Sequence, residues 1–126
     1  MTACRGLALA LAALTLTPSP AASHAALLRS SPAARMAVSQ SPSRVELWFS
    51  ERLEPAYSSL SVWSESGARV DGQDVIVGPE DNHRLSVSLA PLPTGTYVVR
   101  YRVLSVDGHV LEASFTFTVK SAGSSS

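Results

Sequence analysis

Alternation of apolar and polar residues governs the chain after Pro32 and restricts it to β-structure. Apolar side chains recur at every second position in several runs, and a β-strand directs such side chains to one face of a sheet. The clearest runs span 45–49, 60–62, 85–89, 97–103 and 113–119. No stretch shows a convincing helical periodicity. We therefore predict an all-β domain of about seven short strands.

Turn-forming residues separate the runs and favour antiparallel connections. They are Ser66-Gly67, Asp71-Gly72, Gly78-Pro79, Asp81-Asn82, Pro93-Thr94-Gly95 and Asp107-Gly108. Short strands joined by tight turns predict a sandwich or a Greek-key barrel with a single core. Leu92-x-x-Gly95-x-Tyr97 has the spacing of a tyrosine corner, in which the tyrosine hydroxyl bonds to backbone.

The first 23 residues have the composition of a secretory signal peptide. Arg5 precedes an apolar run over 7–16, and small, turn-prone residues follow. That run is about half the length that a membrane span requires. We predict a signal peptide over 1–23, a domain over 24–120 and a disordered tail over 121–126, because the tail is small and polar.

The position of signal cleavage decides which residue begins the mature chain. Ala21 and Ser23 satisfy the small-residue rule for a cut before His24, but the rule also permits a cut after Ala25 that would remove His24. The only cysteine, Cys4, leaves with the signal, so the mature chain has no disulfide and no thiolate metal site.

The charge balance argues against nucleic acid or an anionic membrane as a partner. The chain has ten Lys and Arg residues and ten Asp and Glu residues, and loss of Arg5 leaves nine against ten. No other apolar stretch could span a bilayer, so we expect no membrane insertion after signal removal. Arg100 and Arg102 share a strand face and are interpreted as a solvated, ion-paired stripe in preference to an anion-binding site.

Two histidine-containing positions together suggest a metal site. A histidine at the mature N-terminus, His24, offers both its α-amine and its imidazole to one metal. In Asp107-Gly108-His109, the outer two side chains face one side if the segment is extended. An amine, two imidazoles and a carboxylate form a nitrogen-rich set that suits Cu(II).

Each part of this site has an alternative interpretation. Asp-Gly is a common hairpin turn, so Asp107-Gly108 alone indicates only a turn. His83 lies in a polar stretch and is interpreted as an ordinary exposed histidine. Cleavage after Ala25 would leave an exported sandwich that binds no metal.

Several sequence blocks, in order, resemble the periplasmic copper-resistance protein C (CopC) family over nearly the whole chain after residue 23. The blocks are His24-Ala25-x-Leu27, Ser31-Pro32-Ala33, Val45-Glu46-Leu47-x-Phe49-Ser50-Glu51, Leu92-x-x-Gly95-x-Tyr97-x-Val99, Ser105-x-Asp107-Gly108-His109 and Phe115-x-Phe117-x-Val119.

The resemblance implies a cupredoxin-like or immunoglobulin-like Greek-key fold and a periplasmic location. It also implies that His24, Asp107 and His109 bind Cu(II), with Glu51 nearby as a ligand or as a partner that orients one. The implied role is to sequester or carry copper, with delivery to a membrane transporter of the copper-resistance D (CopD) type or to a cuproenzyme.

Two further expectations concern the copper chemistry. Some family members hold Cu(I) in a methionine-rich loop, but Met36 is the only methionine after residue 23, which predicts a Cu(II)-only protein. We expect a carrier and not an enzyme. The alternative is a copper oxidoreductase of the lytic polysaccharide monooxygenase type, which also uses an N-terminal histidine brace but needs an open coordination position that Asp107 would help to close.

Overall fold

The computed structural model describes residues 26–120, which form two four-stranded β-sheets. The predictions for the signal peptide over 1–23, for His24 and for the tail over 121–126 lie outside these residues. The strands are β1 (Leu27–Ser31), β2 (Ala37–Val38), β3 (Arg44–Phe49), β4 (Ser59–Ser64), β5 (Ile76–Val77), β6 (Arg84–Ser88), β7 (Gly95–Leu104) and β8 (Val110–Val119), with one turn of 3-10 helix at Pro55–Tyr57. The all-β prediction is confirmed.

The two sheets stack as an open sandwich. One has the strand order β1-β3-β6-β5 and is antiparallel throughout. The other has the order β2-β8-β7-β4, in which only the two-residue strand β2 runs parallel to its neighbour. Between residues 26 and 120 the chain changes sheets at every connection except β5 to β6 and β7 to β8.

The sandwich form of the prediction is correct and the closed-barrel form is wrong. Single bridges, Leu53 with Ser105 and Asp71 with Leu89, join segments at the margins of the two sheets. Within residues 26–120, no continuous ladder joins an outer strand of one sheet to the other. A barrel requires such a ladder along its whole seam.

Most of the core comes from the alternating apolar residues of the sequence pattern, and Leu53 and Leu92 join it from outside those runs. Along β7 the odd-numbered residues from Tyr97 to Val103 are buried, while Arg100 and Arg102 face solvent. The largest fully buried side chains are Phe49, Phe117, Leu47, Leu60 and Leu85. Burial of a Leu or Phe side chain contributes about 1.5–3 kcal/mol, so this alternation determines which face of each strand turns inward.

The predicted tyrosine corner forms at the start of β7. The hydroxyl of Tyr97 donates a hydrogen bond of 2.6 Å to the carbonyl of Pro93, and its ring stacks on Phe117 with centroids 5.7 Å apart. Burial raises the pKa of the Tyr97 hydroxyl. The corner thereby ties the β6–β7 connection to the core. The described part of the chain contains no helix long and apolar enough to cross a membrane.

Candidate metal centre

Asp107 and His109 lie on the tight turn that joins β7 to β8. The Gly108 N–H donates to the Ser105 carbonyl, and the Ser105 N–H donates to the His109 carbonyl, both at 2.9 Å. Gly108 adopts a φ of 95°, a conformation that glycine reaches without steric cost. The turn places Nδ1 of His109 3.1 Å from Oδ1 of Asp107. The two side chains lie together as predicted, but on a tight turn and not on the extended segment from which the prediction was made. Their role as metal ligands stays a prediction.

Ser105 organises this turn from beneath. Its side chain is buried, its hydroxyl donates a hydrogen bond to the Asp107 carboxylate, and its Oγ accepts one of 3.3 Å from the His109 backbone N–H. Sequence reasoning assigned Ser105 no role, although it stands in the block that contains Asp107. No sequence signal identifies its hydrogen bond to Asp107, because that bond depends on the shape of the turn.

The Asp107 carboxylate is held in its ionised form. The hydrogen bonds from Ser105 and then from His109 lower its pKa from 3.8 to about 2. The side chains of Asp107 and His109 are 33% and 47% exposed, so both are accessible from solvent. The turn therefore presents a negative oxygen donor and an imidazole side by side.

The segment 50–54, which follows β3, connects this turn to the first described residue. On one side, the Ser50 N–H donates to the Ala26 carbonyl at 2.9 Å, and the Ala26 N–H donates to Ser50 Oγ at 2.8 Å. On the other side, the Val106 N–H donates to the Arg52 carbonyl at 2.9 Å. Ala26 and the Asp107 turn thus flank a single short segment, and Glu51 lies in it between Ser50, which bonds to Ala26, and Arg52, which bonds to Val106.

The described residues alone do not assemble a complete metal site. Within residues 26–120, no three His, Cys, Asp or Glu side chains form a group that could hold a metal ion. Asp107 and His109 make a pair that Glu51 does not extend to three. The predicted contributions of His24 and Glu51 stay predictions.

His83 stands in a second Asp-x-His turn with a similar local arrangement. Its Nδ1 is 3.5 Å from Oδ1 of Asp81, and its side chain is 42% exposed. The carbonyl of neighbouring Asn82 accepts a hydrogen bond of 2.9 Å from the Leu53 N–H, which belongs to the same segment 50–54. His83 is therefore a matched comparison for His109.

Almost all of the described chain matches one known protein family. Residues 27–120 match the family model described as the CopC domain. The chain is 38% identical over 120 residues to Protein YobA of Escherichia coli (strain K12), and this match covers 92% of the chain and 96% of that protein.

Two solved structures share both the fold and the sequence pattern. CopC from Methylosinus trichosporium OB3b superposes with a TM-score of 0.73 at 38% identity and covers 78% of this chain and 95% of that one. PcoC, described as a methionine-rich copper resistance protein from Escherichia coli, superposes with a TM-score of 0.69 at 33% identity and covers 78% of this chain and 100% of that one.

Proposed function

Because this chain belongs to the CopC family, in which named proteins act in copper resistance, we propose that it binds Cu(II) in the periplasm and sequesters or carries it. In this proposal the mature protein begins at His24. His24, Asp107 and His109 hold the copper, which is cargo and not a catalytic cofactor. Glu51 is a further ligand or orients one.

The observation that carries the proposal is the Asp107–His109 pair on a turn joined, through segment 50–54, to Ala26. His24 precedes Ala26 by two residues, and an extended chain spans about 3.3–3.6 Å per residue. The Cα atoms of His24 and Ala26 are therefore separated by at most about 7 Å. The hydrogen bonds between Ala26 and Ser50 hold the chain in place two residues after His24 in the sequence.

The donor set favours Cu(II). One α-amine and two imidazoles supply nitrogen, and the ionised Asp107 supplies oxygen without first releasing a proton. The only methionine after residue 23 is Met36, whereas the similar PcoC is described as methionine rich. A single thioether does not form a soft Cu(I) site, so we propose a Cu(II)-only protein.

A carrier explains this arrangement better than an oxidoreductase does. Oxygen activation at a histidine brace needs an open coordination position, and a carboxylate fixed beside His109 can fill it. In the carrier proposal the copper passes to a CopD-type transporter or to a cuproenzyme. Copper-dependent turnover of ascorbate and peroxide on an oligosaccharide would establish the oxidoreductase function instead.

The decisive experiment is intact-mass measurement of the exported protein, followed by Cu(II) titration monitored by electron paramagnetic resonance. We expect a chain that begins at His24 and a one-to-one complex with nitrogen hyperfine coupling. A mature chain that begins at Ala26, or a spectrum without nitrogen coupling, would refute the proposal.

The two Asp-x-His turns provide an internal control. We expect His109→Ala to weaken Cu(II) binding by at least about tenfold, because it removes a ligand. His83→Ala should leave the affinity unchanged, although it removes the same side chain from a similar turn. Equal losses in the two variants, measured by competition with a Cu(II) chelator, would show that His109 is assigned wrongly.

A further inference from the structure

The outer face of the second sheet contains a polar groove centred on Arg100 and Arg102. Its volume is about 390 Å³, and strands β4, β7 and β8 form its floor. The strand register places two rows of side chains across it. One row is Ser59, Arg102 and Glu112, and the other is Ser61, Arg100 and Ser114.

Arg100 and Arg102 are exposed to solvent, as the sequence-based interpretation expects, but the ion pairs that it also expects do not form among the described residues. Among residues 26–120, neither guanidinium lies within salt-bridge distance of a carboxylate, although Glu112 stands opposite Arg102 in the register. The groove therefore has an excess of positive charge, on a domain whose overall charge is nearly balanced.

Trp63 lies beside the groove and contacts Arg100. The guanidinium of Arg100 lies 5.6 Å from the centroid of the Trp63 ring, and that of Arg69 lies 5.9 Å from it. The indole N–H of Trp63 donates a hydrogen bond of 2.8 Å to Ser61 Oγ. Stacking orients a guanidinium while its edge N–H groups remain able to donate hydrogen bonds.

We propose that this groove binds an extended, acidic segment of a partner protein. Arg100 and Arg102 are two residues apart on one strand, which separates their Cα atoms by about 6.6–6.8 Å. Carboxylates at alternate positions of an extended segment have the same spacing, so each can meet one guanidinium fork. The serine hydroxyls beside the arginines supply further donors to the same oxygens.

The shape of the groove favours a segment over a compact anion. A single phosphate meets both guanidinium groups only where the two long side chains converge on it, whereas alternate carboxylates match the spacing of Arg100 and Arg102 along the strand. Glu112 repels any anion beside Arg102 in proportion to its charge, so a doubly charged phosphate is disfavoured there more than a single carboxylate. An extended segment distributes its charges along the strand and satisfies both arginines together.

The test uses end-blocked peptides and the copper-free protein. An alternating peptide, Thr-Glu-Thr-Glu-Thr-Glu-Thr, is compared with a block peptide of the same composition, Thr-Thr-Glu-Glu-Glu-Thr-Thr, and with inorganic phosphate. Binding is measured by titration calorimetry and by Trp63 fluorescence in a Trp48→Phe background. We expect saturable binding of the alternating peptide that weakens as salt rises.

Variants with equal charge loss identify the surface. Arg100→Gln and Arg102→Gln should each weaken binding of the alternating peptide by about two- to fivefold, as expected for exposed ion pairs. Arg44→Gln removes one positive charge from β3 in the other sheet and should have no effect. Cu(II) affinity should stay the same in all three variants, so these measurements test the groove independently of the proposed copper site.

Three results would overturn the proposal. The first is the absence of calorimetric binding of the alternating peptide at low salt. The second is binding of the block peptide or of phosphate as tight as that of the alternating peptide, which would show that charge alone is recognised. Equal weakening by Arg44→Gln would show that the effect is the net charge of the domain and not this groove.

Discussion

At the scale of single residues, Asp71 shows how a charged side chain becomes part of the core. Its carboxylate is fully buried, and Oδ2 accepts hydrogen bonds of 2.8 Å from the Val62 N–H and from Nε of Arg69. Oδ1 accepts another of 2.8 Å from the Gln73 N–H. Burial raises the pKa of Asp71, but these hydrogen bonds and the charge of Arg69 together lower it below 3.8.

We predict that Asp71→Asn lowers the free energy of unfolding at pH 7 by about 1–3 kcal/mol, because it disrupts hydrogen bonds to a buried, charged group. The lowered pKa means that the ionised Asp71 stabilises the fold above the unfolded-state pKa of about 3.9. This contribution is lost as the pH falls through the lower, folded-state pKa.

Urea unfolding of both proteins at pH 7 and at pH 3 measures this difference. The difference in the free energy of unfolding between the wild type and Asp71→Asn should be smaller at pH 3 than at pH 7. Asp74→Asn is the exposed counterpart. The hydrogen bond of 2.9 Å from the Ser88 N–H lowers the pKa of Asp74 as well, so we expect the same direction of pH dependence but a smaller loss of stability at pH 7. A difference between the wild type and Asp71→Asn of the same size at both pH values would contradict the proposed role of the Asp71 charge.

The second residue-scale prediction concerns Ser105 beneath the candidate site. Ser105→Ala removes the hydroxyl that holds the Asp107 carboxylate and supports the His109 backbone. Loss of such an orienting partner should weaken Cu(II) binding by about tenfold. Ser86→Ala is the control, since Ser86 is also buried but lies in β6. A normal affinity in Ser105→Ala would mean that the turn holds its side chains without the hydroxyl.

At the scale of elements, the tyrosine corner fixes the connection into the longest hairpin. Ser41 supports the same connection, because its Oγ accepts a hydrogen bond of 2.7 Å from the Leu92 N–H. Strands β7 and β8 then pair over ten residues each and place the Asp107 turn at their far end. The corner and the turn are thus the two ends of one β-hairpin.

Removal of one hydroxyl tests the corner. Tyr97→Phe should lower the free energy of unfolding by about 0.5–1.5 kcal/mol, because it removes the hydroxyl that donates to the Pro93 carbonyl while the buried ring stays. Tyr57→Phe should change nothing, because Tyr57 is 65% exposed. Denaturant unfolding of the copper-free variants measures both. Similar stability of the two variants would show that the corner contributes little.

At the scale of the whole molecule, copper binding should be coupled to folding. The proposed ligands come from the mature N-terminus and from the β7–β8 turn, so in this proposal they form one site only in the folded protein. A ligand that binds only the folded state at 100 times its Kd stabilises that state by about 2.7 kcal/mol. We therefore predict that Cu(II) raises the Tm of a protein that begins at His24.

Two N-terminal variants supply the comparison in thermal unfolding experiments. A protein that begins at Ala26 lacks His24. In a protein with one glycine added before His24, the free α-amine belongs to the glycine and no longer to His24. Both should lose most of the Cu(II)-dependent rise in Tm while the copper-free Tm stays the same. An undiminished rise in the protein that begins at Ala26 would place the copper elsewhere.

Much of the fold and part of the site follow from sequence patterns over neighbouring residues. Alternation along 97–103 and 115–119 indicates which side chains face the core, because burial of apolar side chains stabilises one face of each strand, although Ala113 of the same series is exposed. The tyrosine corner and the Asp107–His109 pair are also predictable, because their members are at most a few residues apart. Strands β1 and β2 lack a comparable alternating pattern, and their pairing partners lie far along the chain.

The sequence by itself therefore determined the all-β class, the buried faces and the local Asp107–His109 pair. Only the tertiary structure decided that the sheets stay open, that β2 lies parallel to β8, that Asp71 is buried, and that segment 50–54 joins Ala26 to the Asp107 turn. The physical reason is the sequence separation of the residues that interact. A local pattern depends on a few adjacent residues, whereas strand partners and buried charges depend on contacts between distant segments of the folded chain.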